Sequence, residues 1–322
     1  MKRVVVIGGG TGVFNVLTGL KKYPFHLTAI VTVSDNGGSS GILREEFGVL
    51  PPGDVRRALV ALSSSSTPLL AKLFNYRFKD GESFKGHSFG NLFLTALERI
   101  TGDFSSAVKE AGRILGVKGE VIPVSLDKTR LFAELENGYL VVGETNIDVP
   151  KHDGNLKIKR VFLNPPAKAN PEAIAAIKKA DVIIIGPGDL YTSIVPNFLV
   201  RRIKQAIKSS SATKIYICNI MTKYGETTGF TAKDFLAIIE KYLGKGVLDY
   251  FIVNKELPQS RYLKKYQKEQ AQVVSFSPKD FVAELQHKKK PQIILANLLR
   301  QGKLLRHDPQ KLAKVLAKII EK

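Results

Sequence analysis

Residues 34–41 carry the most concentrated chemistry in the chain and read Ser-Asp-Asn-Gly-Gly-Ser-Ser-Gly. They follow residues 27–33, a β-branched apolar run that predicts a buried strand. Glycines and serines at this place let the backbone turn sharply and point N–H and hydroxyl groups towards one spot. One carboxylate, Asp35, stands near the start. We interpret the stretch as a binding loop for a ligand that carries phosphate.

A second glycine-rich turn, residues 8–12, follows the apolar residues 4–7 and precedes a helix predicted over 13–22. Together with the next strand this predicts a βαβ unit, whose helix start is a natural anion site. The pattern approaches a dinucleotide fingerprint, except that Val13 replaces the third glycine. Asp35 matches the ribose-binding acid of that fingerprint, so NAD is one candidate ligand. The alternative is a tight strand-to-helix turn without a ligand.

Three further side chains are candidates for chemistry near predicted helix starts. Asp54 is a good N-cap for a helix predicted over 55–63, and a catalytic role is the alternative. Arg56 lies in that helix's first turn, where the helix dipole disfavours a cation, so we expect it to face an anion. His87 precedes a helix predicted over 92–100 and could contact phosphate, transfer a proton or pack locally.

Apolar runs and helical patterns alternate along the chain, which predicts an α/β fold. Residues 181–185 form a continuous apolar run of the kind found inside parallel sheets. We expect a Rossmann-like, doubly wound, mainly parallel sheet in one domain spanning residues 1–322. Residues from about 118 to 166 predict an antiparallel hairpin insertion, with a type I′ turn at Asn137-Gly138.

Several predicted strands end in polar or glycine-rich loops. In an open α/β sheet the ligand lies beyond the carboxyl ends of the strands, where the winding order reverses. Loops that are distant in sequence should therefore meet around one cleft. These strands end at Ile7, Val33, Ile185, Ile220 and Val253.

Composition limits the classes of function. The 322 residues include 49 Lys and Arg against 29 Asp and Glu, a net charge of +20. Nucleic-acid binding is a minor alternative to a basic cleft for an anionic metabolite, because no arginine–aromatic module is present. The single cysteine, Cys218, excludes an intramolecular disulfide and a multi-cysteine metal site. With no signal peptide or membrane-length apolar run, we expect a cytoplasmic protein, by default a homodimer.

Seven motifs resemble the YvcK branch of the CofD-like proteins, and the resemblance runs in order over nearly the whole chain. YvcK proteins usually carry two consecutive acids where this chain has Asp35-Asn36, which weakens a two-acid metal site. The motifs are residues 8–12, 32–41 with Arg44, 51–56, 86–91, 186–193, 225–227 and 306–308.

The resemblance implies a Rossmann-like fold and a role in growth on gluconeogenic carbon sources, in cell shape and in peptidoglycan synthesis. It also implies binding of UDP-sugars, notably UDP-N-acetylglucosamine, and protein partners in cell-wall synthesis. The CofD relatives are magnesium-dependent transferases that join a phospholactyl group to a deazaflavin to build coenzyme F420. The resemblance therefore leaves a ligand-sensing regulator and an enzyme both open.

For the nucleotide-sugar hypothesis, two sets of backbone donors would hold the diphosphate, with arginines beside it and amides for the base or sugar. In the transferase alternative, Asp35 and Asp54 would hold or orient magnesium on phosphate and His87 would act as acid or base. We assign no metal ligand outside that alternative. The expected ligand-binding residues are Gly9, Gly10, Thr11, Gly12, Asp35, Asn36, Gly37, Gly38, Ser39, Ser40, Arg44, Arg56, Asn91, Gly188, Leu190, Tyr191, Thr192, Asn219, Thr222, Asn254 and Arg306.

Overall fold

The computed structural model describes residues 1–64, 68–282, 290–300, 302 and 304–322. Its main sheet has seven strands in the order β10-β9-β8-β7-β1-β2-β3, and every neighbouring pair is parallel. A smaller antiparallel sheet has the order β5-β4-β6. The strands are β1 (Arg3–Gly8), β2 (His26–Val31), β3 (Glu120–Pro123), β4 (Arg130–Leu135), β5 (Leu140–Val142), β6 (Ile158–Asn164), β7 (Val182–Ile185), β8 (Thr213–Ile217), β9 (Tyr250–Asn254) and β10 (Gln292–Ala296).

Helices cover both faces of the main sheet. The side chains of β1 alternate between two cores, Val4 and Val6 facing one and Val5 and Ile7 the other. The helices are α1 (Gly10–Leu20), α2 (Gly38–Phe47), α3 (Gly53–Leu62), α4 (Pro68–Asn75), α5 (Phe89–Thr101), α6 (Phe104–Ile114), α7 (Glu144–Asp148), α8 (Pro171–Lys179), α9 (Val195–Leu199), α10 (Ile203–Ser209), α11 (Ala232–Leu243), α12 (Ser260–Lys268) and α13 (Pro309–Ile320), with a π-helical turn at Leu190–Ile194 and a 3₁₀ turn at Pro278–Phe281. The predicted α/β class with a mainly parallel sheet is confirmed.

The winding direction of the sheet reverses between β1 and β7. The chain moves outwards from β1 through β2 to β3, and later resumes on the other side of β1 with β7. Ile7 pairs with Ile185, so the glycine turns that follow these two strands emerge side by side. Such a reversal opens a crevice at the carboxyl ends of the strands, which is where ligands bind in this class of fold.

The antiparallel region differs from the sequence prediction in two respects. Strand β3 pairs in parallel with β2 as the edge of the main sheet, so the antiparallel sheet begins at Arg130 and not near residue 118. The turn is not type I′, because Gly138 has a positive φ of 85° but Asn137 does not. The loop instead spans three residues and is closed by the Leu135 N–H, which donates to the Tyr139 carbonyl at 2.9 Å.

Residues 34–41 are also only partly a loop. Helix α2 begins at Gly38, so the Gly-Ser-Ser-Gly segment forms its first turn. All four residues of this turn are small and have low helix propensity, so the sequence pattern does not indicate a helix start here. In the described part of the chain, no helix is both long and apolar enough to cross a membrane.

The first turn of α1 packs directly on the backbone that follows β7. A Cβ atom on Gly12 would lie 1.9 Å from the Pro187 carbonyl oxygen and 3.0 Å from the Gly188 nitrogen. Since both contacts are to backbone, neither can be relieved by a side-chain rotation. Only glycine allows α1 to approach the loop after β7 so closely. This contact sets the width of the crevice at the ends of β1 and β7.

We therefore predict that Gly12→Ala lowers the free energy of unfolding by about 1–3 kcal/mol, the usual cost of overpacking. Gly112→Ala is the matched control, because Gly112 also lies in a helix but its Cβ would meet Leu59 at an ordinary 3.7 Å. There the higher helix propensity of alanine should stabilise the protein by about 0.5–1 kcal/mol. Denaturant unfolding measures both, and equal effects of the two substitutions would contradict the role given to Gly12.

Candidate functional site

A cleft of about 530 Å³ lies at the carboxyl ends of β1, β2 and β7. It is lined by the first turns of α1, α2 and α3, by α7 and by the loop after β7. Among the expected binding and catalytic residues, those that line this cleft are Gly9, Gly10, Thr11, Gly12, Asp35, Gly37, Gly38, Ser39, Ser40, Asp54, Arg56, Asn91, Gly188, Thr192 and Arg306.

A larger groove of about 1010 Å³ lies elsewhere, at the amino ends of β1, β2 and β3. Two of its charged side chains are already paired, Lys109 with Glu172 at 2.5 Å and Arg113 with Glu110 at 3.0 Å. No run of helix N-termini or unpaired buried charge converges on it in the described residues. The smaller cleft is therefore the candidate site, because its position and its chemistry agree.

Asp54 secures the glycine turn after β1. It is buried, and its Oδ1 accepts a hydrogen bond from the Gly10 N–H at 2.9 Å. The prediction that Asp54 caps a helix is wrong, because α3 already begins at Gly53 and its N-cap is Pro52 without a side-chain bond. Burial, and secondarily the nearby Asp35, raise the pKa of Asp54 to about 6.

The start of α2 forms the base of an anion site. Asp35 Oδ1 accepts from the Gly37 N–H at 2.9 Å, which orders the chain just before the helix. Asn91 Nδ2 donates to Ser39 Oγ at 3.2 Å, so the first turn of α2 is tied to the first turn of α5. The unpaired N–H groups of a helix start carry partial positive charge and bind anions.

Arg56 is a buried cation whose hydrogen bonds go only to neutral oxygens. Its Nε donates to Asn91 Oδ1 at 3.0 Å, and its Nη1 donates to Asn75 Oδ1 at 2.6 Å and to the Phe74 carbonyl at 3.3 Å. Burial, and then Arg57 and Arg77, lower the pKa of Arg56 to about 10. A buried charge without an opposite partner is costly, so this arrangement favours a bound anion.

Two more arginines extend the positive wall, and sequence reasoning missed both as site residues. Arg57 lies 4.0 Å from Asp54 and its side chain is 45% exposed, while Arg77 also lines the cleft. Among the described ion pairs none involves Arg56, Arg77 or Arg306. The adjacent motif at residues 51–56 was a signal for Arg57, whereas nothing local pointed to Arg77.

The opposite wall is acidic, and sequence reasoning missed it as well. Glu144 and Asp148 come from α7, and Asp189 follows β7. Lys223 Nζ forms ion pairs with Asp148 and with Asp189, the latter at 3.0 Å. Burial, followed by Asp35 and Asp148, raises the pKa of Glu144 to about 8. The signal for Asp189 lay in the motif at 186–193, but α7 carries no recognisable motif.

Oxygen atoms of Asp148, Asp189 and Glu226 lie within 4.8 Å of one another, the spacing of a possible metal site. The Lys223 ammonium already neutralises two of these acids, and Glu226 accepts from the Tyr191 N–H at 3.1 Å and from Thr192 Oγ1 at 2.8 Å. These three acids therefore do not fit a magnesium ion. Asp35, which lines the cleft, is the remaining acid from the transferase alternative that could hold one on a ligand phosphate.

His87 does not line the cleft. It is buried, and its Nδ1 is hydrogen-bonded to Ser39 Oγ at 3.1 Å. Of the roles considered for His87, the structure favours local packing that supports α2 over direct contact with phosphate.

Arg44 and Asn36 are positioned by structural contacts outside the cleft. Arg44 Nη2 donates to the Thr129 carbonyl at 2.5 Å, which links α2 to the residue just before β4. Asn36 Oδ1 accepts from the Thr145 N–H at 2.8 Å and links α2 to α7. Neither residue lines the cleft, in contrast to the expectation.

The other expected residues outside the cleft support its loops or the core. Leu190 and Tyr191 pack in the core, at 0% and 1% exposure. Asn219 Nδ2 donates to the Gly188 carbonyl at 2.9 Å, so it braces the loop after β7. Thr222 Oγ1 accepts from the Gln272 N–H at 2.8 Å, and Asn254 Oδ1 accepts from the Leu298 N–H at 3.0 Å.

Known proteins resemble this chain over almost its full length. The gluconeogenesis factor of Halalkalibacterium halodurans is 51% identical over 274 residues, covering 85% of this chain and 84% of that protein. The gluconeogenesis factor of Bacillus subtilis is 42% identical over 320 residues, covering 99% and 98%. A crystal structure of a UPF0052 family member from Bacillus halodurans superimposes with a TM-score of 0.91 at 45% identity, covering 98% of each chain.

The family comparison agrees with these relatives. The family model described as 2-phospho-L-lactate transferase CofD matches residues 4–308, which include the cleft and both of its walls. The fold, the order of the motifs and the relatives point the same way. The chain belongs to the CofD family, in the YvcK branch whose curated members are named gluconeogenesis factors.

Proposed function

We propose that the protein binds a nucleotide sugar of the UDP-N-acetylglucosamine type in this cleft. The observation that carries the proposal is the buried Arg56, whose side chain meets only neutral acceptors beside the start of α2. A diphosphate there would receive backbone N–H groups from α2 and charge from Arg56 and Arg57.

The rest of the cleft suits the uncharged part of such a ligand. Carboxylates of Asp35, Asp148 and Asp189 on its walls are strong acceptors for sugar hydroxyl groups. The volume of about 530 Å³ is within the usual range for small-molecule sites. We infer that phosphate binds beside the arginines at the start of α2 and that hydroxyl groups bind towards Asp148 and Asp189.

By this proposal the protein is a ligand-sensing regulator. Relatives named gluconeogenesis factors support a link to carbon metabolism. Resemblance to the YvcK branch supports a further link to cell shape and peptidoglycan synthesis, for which UDP-N-acetylglucosamine is the matching ligand. The bound sugar would report the supply of wall precursors to a protein partner.

Calorimetry with UDP-N-acetylglucosamine tests binding. We expect one site per chain, with NAD competing weakly or not at all. Arg57→Gln should weaken binding ten-fold or more, because a charge-assisted hydrogen bond contributes about 1.5–3 kcal/mol and 1.4 kcal/mol is ten-fold. Arg57 is suited to the test because its side chain is 45% exposed and its loss should not unfold the protein.

Arg113→Gln is the matched control, since Arg113 also lies on a helix, its side chain is 78% exposed and it is remote from the cleft. It should bind like the unmodified protein. Absence of binding to the unmodified protein, with and without magnesium, would refute the proposed function. If Arg57→Gln and Arg113→Gln weakened the binding of UDP-N-acetylglucosamine equally, the diphosphate would not bind at Arg57.

A second candidate is a magnesium-dependent, CofD-type transferase of a phospholactyl or related group to a flavin-like acceptor. It is favoured by the acidic wall that faces the anion site, and by the description of the matching family. When bound, magnesium would neutralise phosphate charge. Asp35 would then position a phosphate-bound ion, while Asp54 holds the Gly10 turn.

This candidate predicts magnesium-dependent turnover of a nucleotide-activated substrate, which Asp35→Asn should abolish while binding persists. Release of the nucleotide product, followed by chromatography, measures the turnover. Asp181→Asn is a control at the far end of the sheet, where Asp181 accepts from the Arg3 N–H at 2.7 Å. Absence of product from both F420 precursors and UDP-sugars would contradict the transferase candidate. The ligand-sensing regulator would then be the remaining proposal.

A further inference from the structure

We propose that Glu144 binds the ligand as a neutral carboxylic acid, donating a hydrogen bond to a phosphate oxygen held at the start of α2. The proposal deepens, and rests on, the nucleotide-sugar function proposed above. It assigns to α7 a direct role in recognising the anion, although α7 belongs to the acidic wall of the cleft.

Glu144 lies close to the start of α2. It is the first residue of α7 and lines the cleft, and its Oε2 is 3.9 Å from the point where a Cβ on Gly37 would lie. Gly37 immediately precedes α2. A phosphate oxygen bound to the N–H groups of the first turn of α2 would therefore lie within reach of the Glu144 carboxyl group.

Thr145 positions the start of α7, and its hydroxyl also lies 3.4 Å from Glu144 Oε2. Thr145 donates its N–H to Asn36 Oδ1 at 2.8 Å and its hydroxyl to the same oxygen at 3.1 Å. Asn36 precedes α2, so this pair of bonds holds α7 against the segment that leads into α2. These bonds fix the start of α7 beside the start of α2.

The charges around Glu144 are predominantly negative. Asp35 approaches from the segment before α2, Asp54 from α3 and Asp148 from α7 itself. Glu226, from the loop after β8, contributes least, because burial raises its own pKa to about 8. The nearby cation, Lys223, forms its ion pairs with Asp148 and Asp189, and no described ion pair includes Glu144. Burial and these like charges raise the pKa of Glu144 to about 8, so its carboxyl is mainly protonated at neutral pH.

Protonation decides whether Glu144 helps or opposes the ligand. An ionised carboxylate beside a phosphate oxygen has no proton to donate and repels the anion. The neutral carboxyl donates a hydrogen bond to the same oxygen. The protonated state is thus the binding-competent one, and a bound phosphate would hold the proton on Glu144 to higher pH.

The affinity for the ligand should fall as the pH rises above the pKa of Glu144. Below about pH 8 the carboxyl already carries its proton and affinity should be nearly constant. Above that pH, binding must restore the proton, so affinity should fall by up to ten-fold per pH unit. Glu144→Gln keeps a donor of similar shape that does not titrate, so its affinity should lack this fall.

The experiment measures the affinity for UDP-N-acetylglucosamine from pH 6.5 to 9.5 in three proteins. The unmodified protein and Glu321→Gln, an exposed change at the end of the chain, should lose affinity together above pH 8. Glu144→Gln should bind normally at pH 7 and more tightly than either at pH 9. Any titration of the ligand is common to all three, so the difference isolates Glu144.

Infrared difference spectroscopy without ligand provides an independent measurement. Subtracting the spectrum of Glu144→Gln from that of the unmodified protein at pH 7 should leave the carbonyl band of one protonated carboxylic acid, and the band should disappear above pH 9. Absence of this band at pH 7 would overturn the proposal.

Identical pH profiles for the unmodified protein and Glu144→Gln would also overturn it, while leaving nucleotide-sugar binding intact. Loss of binding in all proteins at every pH would instead refute the proposed function and this inference with it. The two failures are therefore distinguishable.

Discussion

The close backbone contact between α1 and the loop after β7 is the constraint on which the site depends. Gly12 lies where a Cβ would come within 1.9 Å of the Pro187 carbonyl oxygen, and a Cβ on Gly9 would come within 2.3 Å of Asp54 Oδ2. These contacts bring the ends of β1, β7 and α3 together at the reversal of the sheet. Every other wall of the cleft is positioned relative to this junction.

Charges of both signs line the cleft around that junction. Arg56, Arg57 and Arg77 come from α3 and the segment before α5, and Glu144, Asp148 and Asp189 come from α7 and the loop after β7. Burying either sign without a partner costs free energy of folding, and a ligand that offers the opposite charge offsets that cost. Lys223 neutralises part of the acidic wall and joins α7 to the loop after β7. The small antiparallel sheet thus contributes to the site through the helix it carries.

Strong local patterns were predictable, and short or ambiguous ones were not. The apolar run at 181–185 became β7, because a strand buried on both faces needs continuous apolar residues. The sequence predicts a loop at the start of α2, because glycine and serine favour turns unless tertiary contacts hold them in a helix. For Asp54, a local rule predicted a cap, whereas its partner is the Gly10 N–H, 44 residues away. Arg44 lies on the side of α2 that faces Thr129, and it does not line the cleft.

Local spacing along the chain is enough to predict the α/β class, the family resemblance and the glycine- and serine-rich segments of the site. Which charges lie near one another depends instead on contacts between segments that are distant in sequence. Arg77, Glu144 and Asp148 carry no local signature and reach the cleft through packing of α5, α7 and the smaller sheet. The tertiary structure likewise placed Asn36, Arg44 and Asn219 in hydrogen bonds that support the segments around the cleft. Spacing along the chain sets which groups are available, but burial and distance in three dimensions set their protonation and their partners.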